Sequence, residues 1–144
     1  MKLSLVVPCY NEADNVALFQ QAVVSAFDGC GYDYEIVFID DGSRDATLHN
    51  LKKLYAAREC PIKVVSFSRN FGKEAAMFAG LKAAKGDFIT IMDADLQDPP
   101  SLLPQMFDAV LNGGFDSVAP RRRPRGGEPP VRPDCAKIFF QIIK

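Results

Sequence analysis

The sequence predicts an α/β fold, a Rossmann-like, mostly parallel sheet flanked by helices. Three observations carry that expectation. Short β-branched runs alternate with longer stretches of helical period through the first 120 residues, the pattern of a parallel sheet covered by helices. The apolar runs are continuous, as in strands buried on both faces. The chain has 144 residues, 48% of them apolar and 24% charged, which suits one packed core within the ~100–200 residues of a single domain.

The elements follow in order. A first strand is read at residues 3–7, stopped by Pro8, which has no N–H for a ladder. The first helix follows Asn15 with Val16, Phe19, Val23 and Phe27 at helical spacing and ends at Gly29. Residues 34–39 form the second strand and run into Asp40-Asp41-Gly42-Ser43. The second helix starts near Asp45, with Leu48, Leu51 and Tyr55 on one face. The third strand, residues 62–67, is preceded by Pro61, and the third helix, roughly 73–85, carries the small stripe Ala76, Ala79, Gly80 and Ala83. Small residues let a helix approach a sheet closely. The fourth strand is residues 87–92, the fourth helix carries Leu103, Met106, Phe107, Val110 and Leu111 as an apolar stripe, and residues 117–119 are a short fifth strand.

Charge divides the chain. Residues 1–116 hold 10 basic and 16 acidic side chains, whereas residues 117–144 hold 7 basic and 2 acidic. The expected organisation is therefore an α/β domain over residues 1–120 and a basic segment over 121–144. A formal net charge of -1 offers no global attraction to nucleic acid, and no aromatics interleave the arginines of the basic segment, so no nucleic-acid partner is expected. Four widely spaced cysteines, without a Cys-x-x-Cys, suit reduced thiols. No run reaches the ~20 apolar residues that a spanning helix needs. His49 lies within the second helix without partners and reads as surface.

Right-handed crossovers send the carboxyl ends of all parallel strands to one edge, where open α/β sheets bind ligands. Asp93-Ala94-Asp95 leaves the fourth strand there, and in an extended segment residues i and i+2 point to the same side. Two readings stand: a solvated turn with helix capping, or a hard-cation site in which Asp93, Asp95 and the neutral Gln97 suit Mg²⁺ or Mn²⁺ shared with phosphates. Asp40-Asp41-Gly42-Ser43 is a turn with an N-cap or a carboxylate acceptor for base or ribose hydroxyls. Arg69, Asn70 and Lys73 stand at the start of the third helix, either solvated or steering a diphosphate. A Gly-x-Gly-x-x-Gly after the first strand is missing, as are a Gly-x-Ser-x-Gly elbow and metal-spaced Cys or His, which excludes dinucleotide oxidoreductase, serine hydrolase and zinc readings.

Four segments taken together, Val6-Val7-Pro8-Cys9-Tyr10-Asn11-Glu12, Phe38-Ile39-Asp40-Asp41-Gly42-Ser43-Arg44-Asp45, Ser68-Arg69-Asn70-Phe71-Gly72-Lys73-Glu74 and Met92-Asp93-Ala94-Asp95-Leu96-Gln97-Asp98-Pro99-Pro100, closely resemble the family 2 glycosyltransferases. Within that family the chain resembles the dolichol-phosphate mannosyltransferase and bactoprenol glucosyltransferase branch, over about residues 3–140.

The resemblance implies a GT-A type nucleotide-sugar-binding fold and inverting, metal-dependent transfer of a sugar from a UDP- or GDP-sugar to a polyprenyl phosphate. It implies that Pro8, Tyr10, Glu12, Asp40, Asp41, Lys73 and Asp93 bind the nucleotide sugar, and that Asp93, Asp95 and Gln97 hold Mg²⁺ or Mn²⁺. Arg122, Arg125 and Arg132 would grip the acceptor phosphate, with Asp95 and Arg122 the catalytic pair. A phosphate monoester arrives ionised, since its second pKa is ~6. A sugar hydroxyl would instead need a carboxylate such as Asp98 to take its proton.

Pro120, Pro129, Pro130, Pro133 and Cys135 depart from the family pattern around the acceptor site. The apolar run at residues 138–143 is read as the start of an interfacial helix, in a chain that looks like the N-terminal part of a longer enzyme on the cytoplasmic side of a membrane. The alternatives are a nucleotide-sugar-binding or membrane-docking domain without transfer, or a transferase acting on a sugar hydroxyl.

Overall fold

The computed structural model describes residues 1–119 and the backbone of Ile142–Ile143. β1 (Lys2–Cys9), β2 (Asp33–Asp40), β3 (Ile62–Ser66) and β4 (Phe88–Ile91) run parallel. β6 (Ile142–Ile143) lies antiparallel between β4 and β5 (Ser117–Val118), giving the order β3-β2-β1-β4-β6-β5. The expected mostly parallel α/β sheet is thus the fold. The chain winds outward from β1 to β3 and then crosses back to β4, so the strand order reverses between β1 and β4. That reversal opens a crevice at the carboxyl ends of these two strands.

Pro8 does not end β1. The last β1·β4 pair is Val6 with Ile91, and Val6 C=O accepts the Met92 N–H on that side. Carbonyls and amides of alternate residues share a side in a parallel strand, so the donor that Pro8 lacks falls where β4 has ceased to pair. β1 therefore continues to Cys9, opposite Asp40.

Alternation along the strands makes two cores. On one face Leu3, Leu5, Val7, Ile36 and Phe38 pack against α1 (Val16–Phe27), α2 (Thr47–Ala57) and α4 (Leu103–Gly113). On the other, Val6, Val37 and Ile39 pack against Ala76 of α3 (Lys73–Ala83). A Cβ at Gly80 of α3 would lie 2.3 Å from Val6 Cγ1 and 2.7 Å from Ile39 Cδ1, so the small stripe read from the sequence does set the helix close to the sheet.

Two further expectations are corrected. The buried side of α2 is Thr47 and Leu51, with Leu54 half-buried, whereas Tyr55 is 57% exposed; the i, i+4, i+7 row faces the sheet one step away from the row expected. Ile142 and Ile143, read as part of an interfacial helix, are a strand that gives the free edge of β4 hydrogen-bond partners.

At the amino edge, opposite the crevice, Glu35 is buried in a polar cluster. Its Oε1 accepts from Ser4 Oγ and from the Lys85 N–H, both at 2.7 Å. Its Oε2 faces Lys63 Nζ at 3.0 Å and Lys2 Nζ at 3.1 Å. Burial pushes this carboxyl up, but the hydrogen bonds from Ser4, Lys85, Lys63 and Lys2 outweigh it and bring its pKa from 4.5 down to about 2.

Candidate functional site

Three of the four loops at the carboxyl edge are tied to one another. After β1, Asn11 adopts a left-handed φ of 57°; its N–H donates to Ser43 Oγ at 3.0 Å and its Oδ1 accepts the Arg44 N–H at 2.9 Å. Asn tolerates that backbone region because its short side chain satisfies neighbouring amides. Further along, the Glu12 N–H donates to Thr47 Oγ1 at 2.8 Å and the Ala13 N–H to Asp45 Oδ2 at 3.2 Å. The first loop is thereby bonded to the second.

The second loop is bonded to the third through a buried carboxylate. Asp41, 3% exposed, accepts the Phe71 N–H at 2.7 Å and the Gly72 N–H at 3.0 Å. Gly42 lies so close that a Cβ there would sit 2.3 Å from the Arg69 carbonyl carbon, and its φ is +66°; only glycine meets both conditions. Asp40, 1% exposed, accepts the Ser43 N–H at 3.2 Å and the Ser66 hydroxyl at 3.1 Å.

These loops and the end of β4 enclose an open cleft of about 280 Å³, lined by Pro8, Cys9, Tyr10 and Glu12, by Asp41, by Asn70, Lys73 and Ala76, and by Asp93, Ala94 and Asp95. Of the nucleotide-sugar residues expected from the sequence, Pro8, Tyr10, Glu12, Asp41, Lys73 and Asp93 therefore come together. Asp40 is not among the lining residues; its carboxylate lies beneath the second loop. Arg69 also stays off the lining, with its guanidinium 4.5 Å from the centre of the Phe71 ring.

Asp93 and Asp95 are exposed on either side of buried Ala94, where the chain leaves β4 and turns at Ala94–Asp95 rather than running on extended as the sequence suggested. The Lys73 ammonium lies 2.7 Å from Asp93 Oδ1 and 2.8 Å from Oδ2. Asp95 Oδ1 accepts the Gln97 N–H at 3.0 Å across Leu96, whose φ is 59°. Gln97 is exposed and does not line the cleft. Among the described residues no cluster of three His, Cys, Asp or Glu is arranged around a metal position. Two carboxylates facing one cleft, one of them already holding a cationic group, nevertheless fit a hard divalent ion that takes its other ligands from water and phosphate.

Cys9 also lines the cleft, a residue the sequence did not single out. Its thiol is 1% exposed, and burial, followed by the charges of Glu12, Asp40 and Asp93, pushes its pKa far up. That shift favours the thiol over the thiolate. The glutamate cluster at the far edge was also missed, although Ser4 and Glu35 are register partners and are polar residues within apolar runs, which is a readable signal.

Arg122, Arg125 and Arg132 lie outside the described residues, as does most of the segment 121–144. β5 is parallel to β4, because both pair antiparallel with β6, so β5 leaves at the carboxyl edge and β6 enters from that same edge. Among the described residues no helix is long and apolar enough to cross a membrane.

Comparison with known proteins adds the following. Residues 4–142 match the model of the family described as glycosyl transferase family 2. The chain is 39% identical over 142 residues to a prophage bactoprenol glucosyl transferase homolog of Escherichia coli, covering 99% of this chain and 46% of that protein. It is 37% identical over 123 residues to an undecaprenyl-phosphate 4-deoxy-4-formamido-L-arabinose transferase of Aeromonas hydrophila, covering 85% and 37%. Its fold is that of a mannosyltransferase of Pyrobaculum calidifontis solved with GDP-Man and Mn²⁺, at a TM-score of 0.73 and 23% identity over 86% of this chain and 36% of that one. The chain spans less than half the length of each of these proteins.

Proposed function

Because this chain belongs to glycosyl transferase family 2, we propose that it carries the donor site of an enzyme that moves a sugar from a nucleoside diphosphate sugar to a polyprenyl phosphate. One observation carries the reading. Asp93 and Asp95 face a cleft at the point where strand order reverses, with Tyr10 and Lys73 in the same lining and the Lys73 ammonium on Asp93. The bactoprenol and undecaprenyl-phosphate transferases among the relatives favour the lipid phosphate as acceptor.

In this reading the nucleoside lies along Pro8, Tyr10 and Glu12, with Asp41 in the wall and Asp40 behind it, supporting the second loop through Ser43 and Ser66. Lys73 and the free amides at the start of α3 face the diphosphate. Asp93 and Asp95 would hold Mg²⁺ or Mn²⁺, with Gln97 a neutral oxygen at their edge. When bound, such an ion neutralises charge developing on the departing diphosphate.

The acceptor phosphate oxygen forms a bond to the anomeric carbon from the face opposite the breaking carbon–oxygen bond, which inverts the configuration. The acceptor is already ionised at neutral pH, so no residue need take a proton. Arg122, Arg125 and Arg132 are assigned to the acceptor phosphate, since guanidinium groups suit bidentate phosphate contacts. Supporting this, the chain that carries them leaves β5 and re-enters β6 at the same edge as the cleft. A lipid acceptor also assigns the enzyme to a membrane surface, on the cytoplasmic side, where nucleotide sugars are found.

Calorimetry with UDP- and GDP-sugars, with and without Mn²⁺, followed by transfer to a short polyprenyl phosphate, tests the reading. Metal-dependent donor binding, and transfer that survives Asp98→Asn, are expected. Donor binding indifferent to Mn²⁺, or transfer only to a sugar hydroxyl, would overturn it.

A further inference from the structure

Lys73 is the one cationic side chain among the described residues lining the cleft, and four carboxylates line it with Lys73: Glu12, Asp41, Asp93 and Asp95. They are not equally satisfied. Asp41 is held by two backbone amides, Glu12 Oε2 accepts from Asn15 Nδ2 at 2.7 Å, and Asp95 Oδ1 accepts the Gln97 N–H. Asp93 is the member balanced by a full charge, with the ammonium on both of its oxygens. Each side chain of that pair is 51% exposed, so burial does not lock it, and a lysine ammonium on a flexible stem changes partners readily.

A divalent ion and an ammonium cannot share the two oxygens of Asp93 without strong mutual repulsion at such short range. Lys73 is also the first residue of α3, whose N-terminus has no side-chain cap and so attracts anions. A diphosphate there offers the ammonium a second partner within reach of its stem.

We propose that Lys73 is a placeholder cation: it occupies Asp93 in the donor-free protein, and a nucleoside diphosphate draws it onto phosphate oxygens and frees Asp93 for the divalent ion. Ion and donor then enter as a coupled pair. This rests on the reading above that Asp93 and Asp95 hold the ion, and it makes Lys73 a positioning residue that acts through Asp93.

The test is Mn²⁺ binding, read by loss of the free-ion electron paramagnetic resonance signal, with the ion alone, with UDP and with GDP. It compares the wild-type protein with Lys73→Met, Lys73→Arg and Asp95→Asn. An exposed ion pair competes only modestly, so Lys73→Met should bind Mn²⁺ alone roughly fivefold more tightly, whereas Lys73→Arg should bind it no better than the wild type. Nucleotide should raise Mn²⁺ affinity by a larger factor in the wild type than in Lys73→Met. Equal or weaker binding of Mn²⁺ alone by Lys73→Met overturns the placeholder role, while nucleotide-enhanced binding lost in Asp95→Asn would leave the donor-site reading standing. Wild-type protein that binds no Mn²⁺ with either nucleotide would overturn both.

Discussion

Gly72 and Asp41, 31 positions apart, are joined by a hydrogen bond of 3.0 Å from the Gly72 N–H to Asp41 Oδ2. With the Phe71 N–H on Oδ1, one buried carboxylate fixes the loop that delivers Lys73 to the cleft. Hydrogen bonds to a charged group contribute roughly 1.5–3 kcal/mol. Asp41→Asn turns an NH₂ group towards one of the two amides, and the expected cost is about 2 kcal/mol in chemical denaturation, together with weaker binding of nucleoside diphosphate.

Asp95→Asn is expected to behave oppositely. The side chain is exposed, so stability should stay within about 0.5 kcal/mol of the wild type. Sugar transfer with Mn²⁺ should fall by roughly 10²-fold or more, the scale of losing one electrostatic stabiliser of a leaving group. Denaturation midpoints and single-turnover transfer, measured on one preparation, check both halves.

Arg122→Ala and Arg132→Ala should raise the KM for polyprenyl phosphate by about tenfold each, the scale of one charge-assisted contact, and leave donor affinity unchanged. Calorimetry with donor alone separates this from general damage to the site.

Glu35 governs the acid limb of stability. Its folded pKa of about 2 lies below the ordinary 4.5, so its contribution is complete above that ordinary value and is lost as pH falls towards 2. Glu35→Gln should cost on the order of 2 kcal/mol at pH 7. Urea unfolding at a series of pH values should show the gap to the wild type narrowing below pH 4.5 and closing near pH 2.

The thiols should differ in reactivity. Cys30 is exposed and Cys9 buried, with Cys9 held protonated by burial and by the charges of Glu12, Asp40 and Asp93. Iodoacetamide at pH 8, followed by peptide mass spectrometry, should label Cys30 in the folded protein and Cys9 only after denaturation.

The strand and helix sequence was legible because buried parallel strands leave continuous apolar runs and each helix carries a periodic stripe. The convergence of Tyr10, Glu12, Lys73, Asp93 and Asp95 followed from parallel strands sharing one edge. What stayed hidden depends on contacts between distant segments. Asp41 reads as a ligand-facing acid, yet its oxygens are taken by amides 30 and 31 residues away. Tyr55 looks like a member of the apolar face of α2 until the sheet fixes the rotation of the helix. The strand at Ile142–Ile143 needs β4 beside it to be a strand at all, and an apolar run by itself does not distinguish that from a helix.

The bonds from Asn11 to Ser43 and from Asp41 to Gly72 make the first three loops one welded rim, and the Lys73–Asp93 ion pair sets the end of β4 against it. Insertions in these loops would have to break a neighbour's amide contacts, so length variation among descendants of this sequence is expected to avoid them.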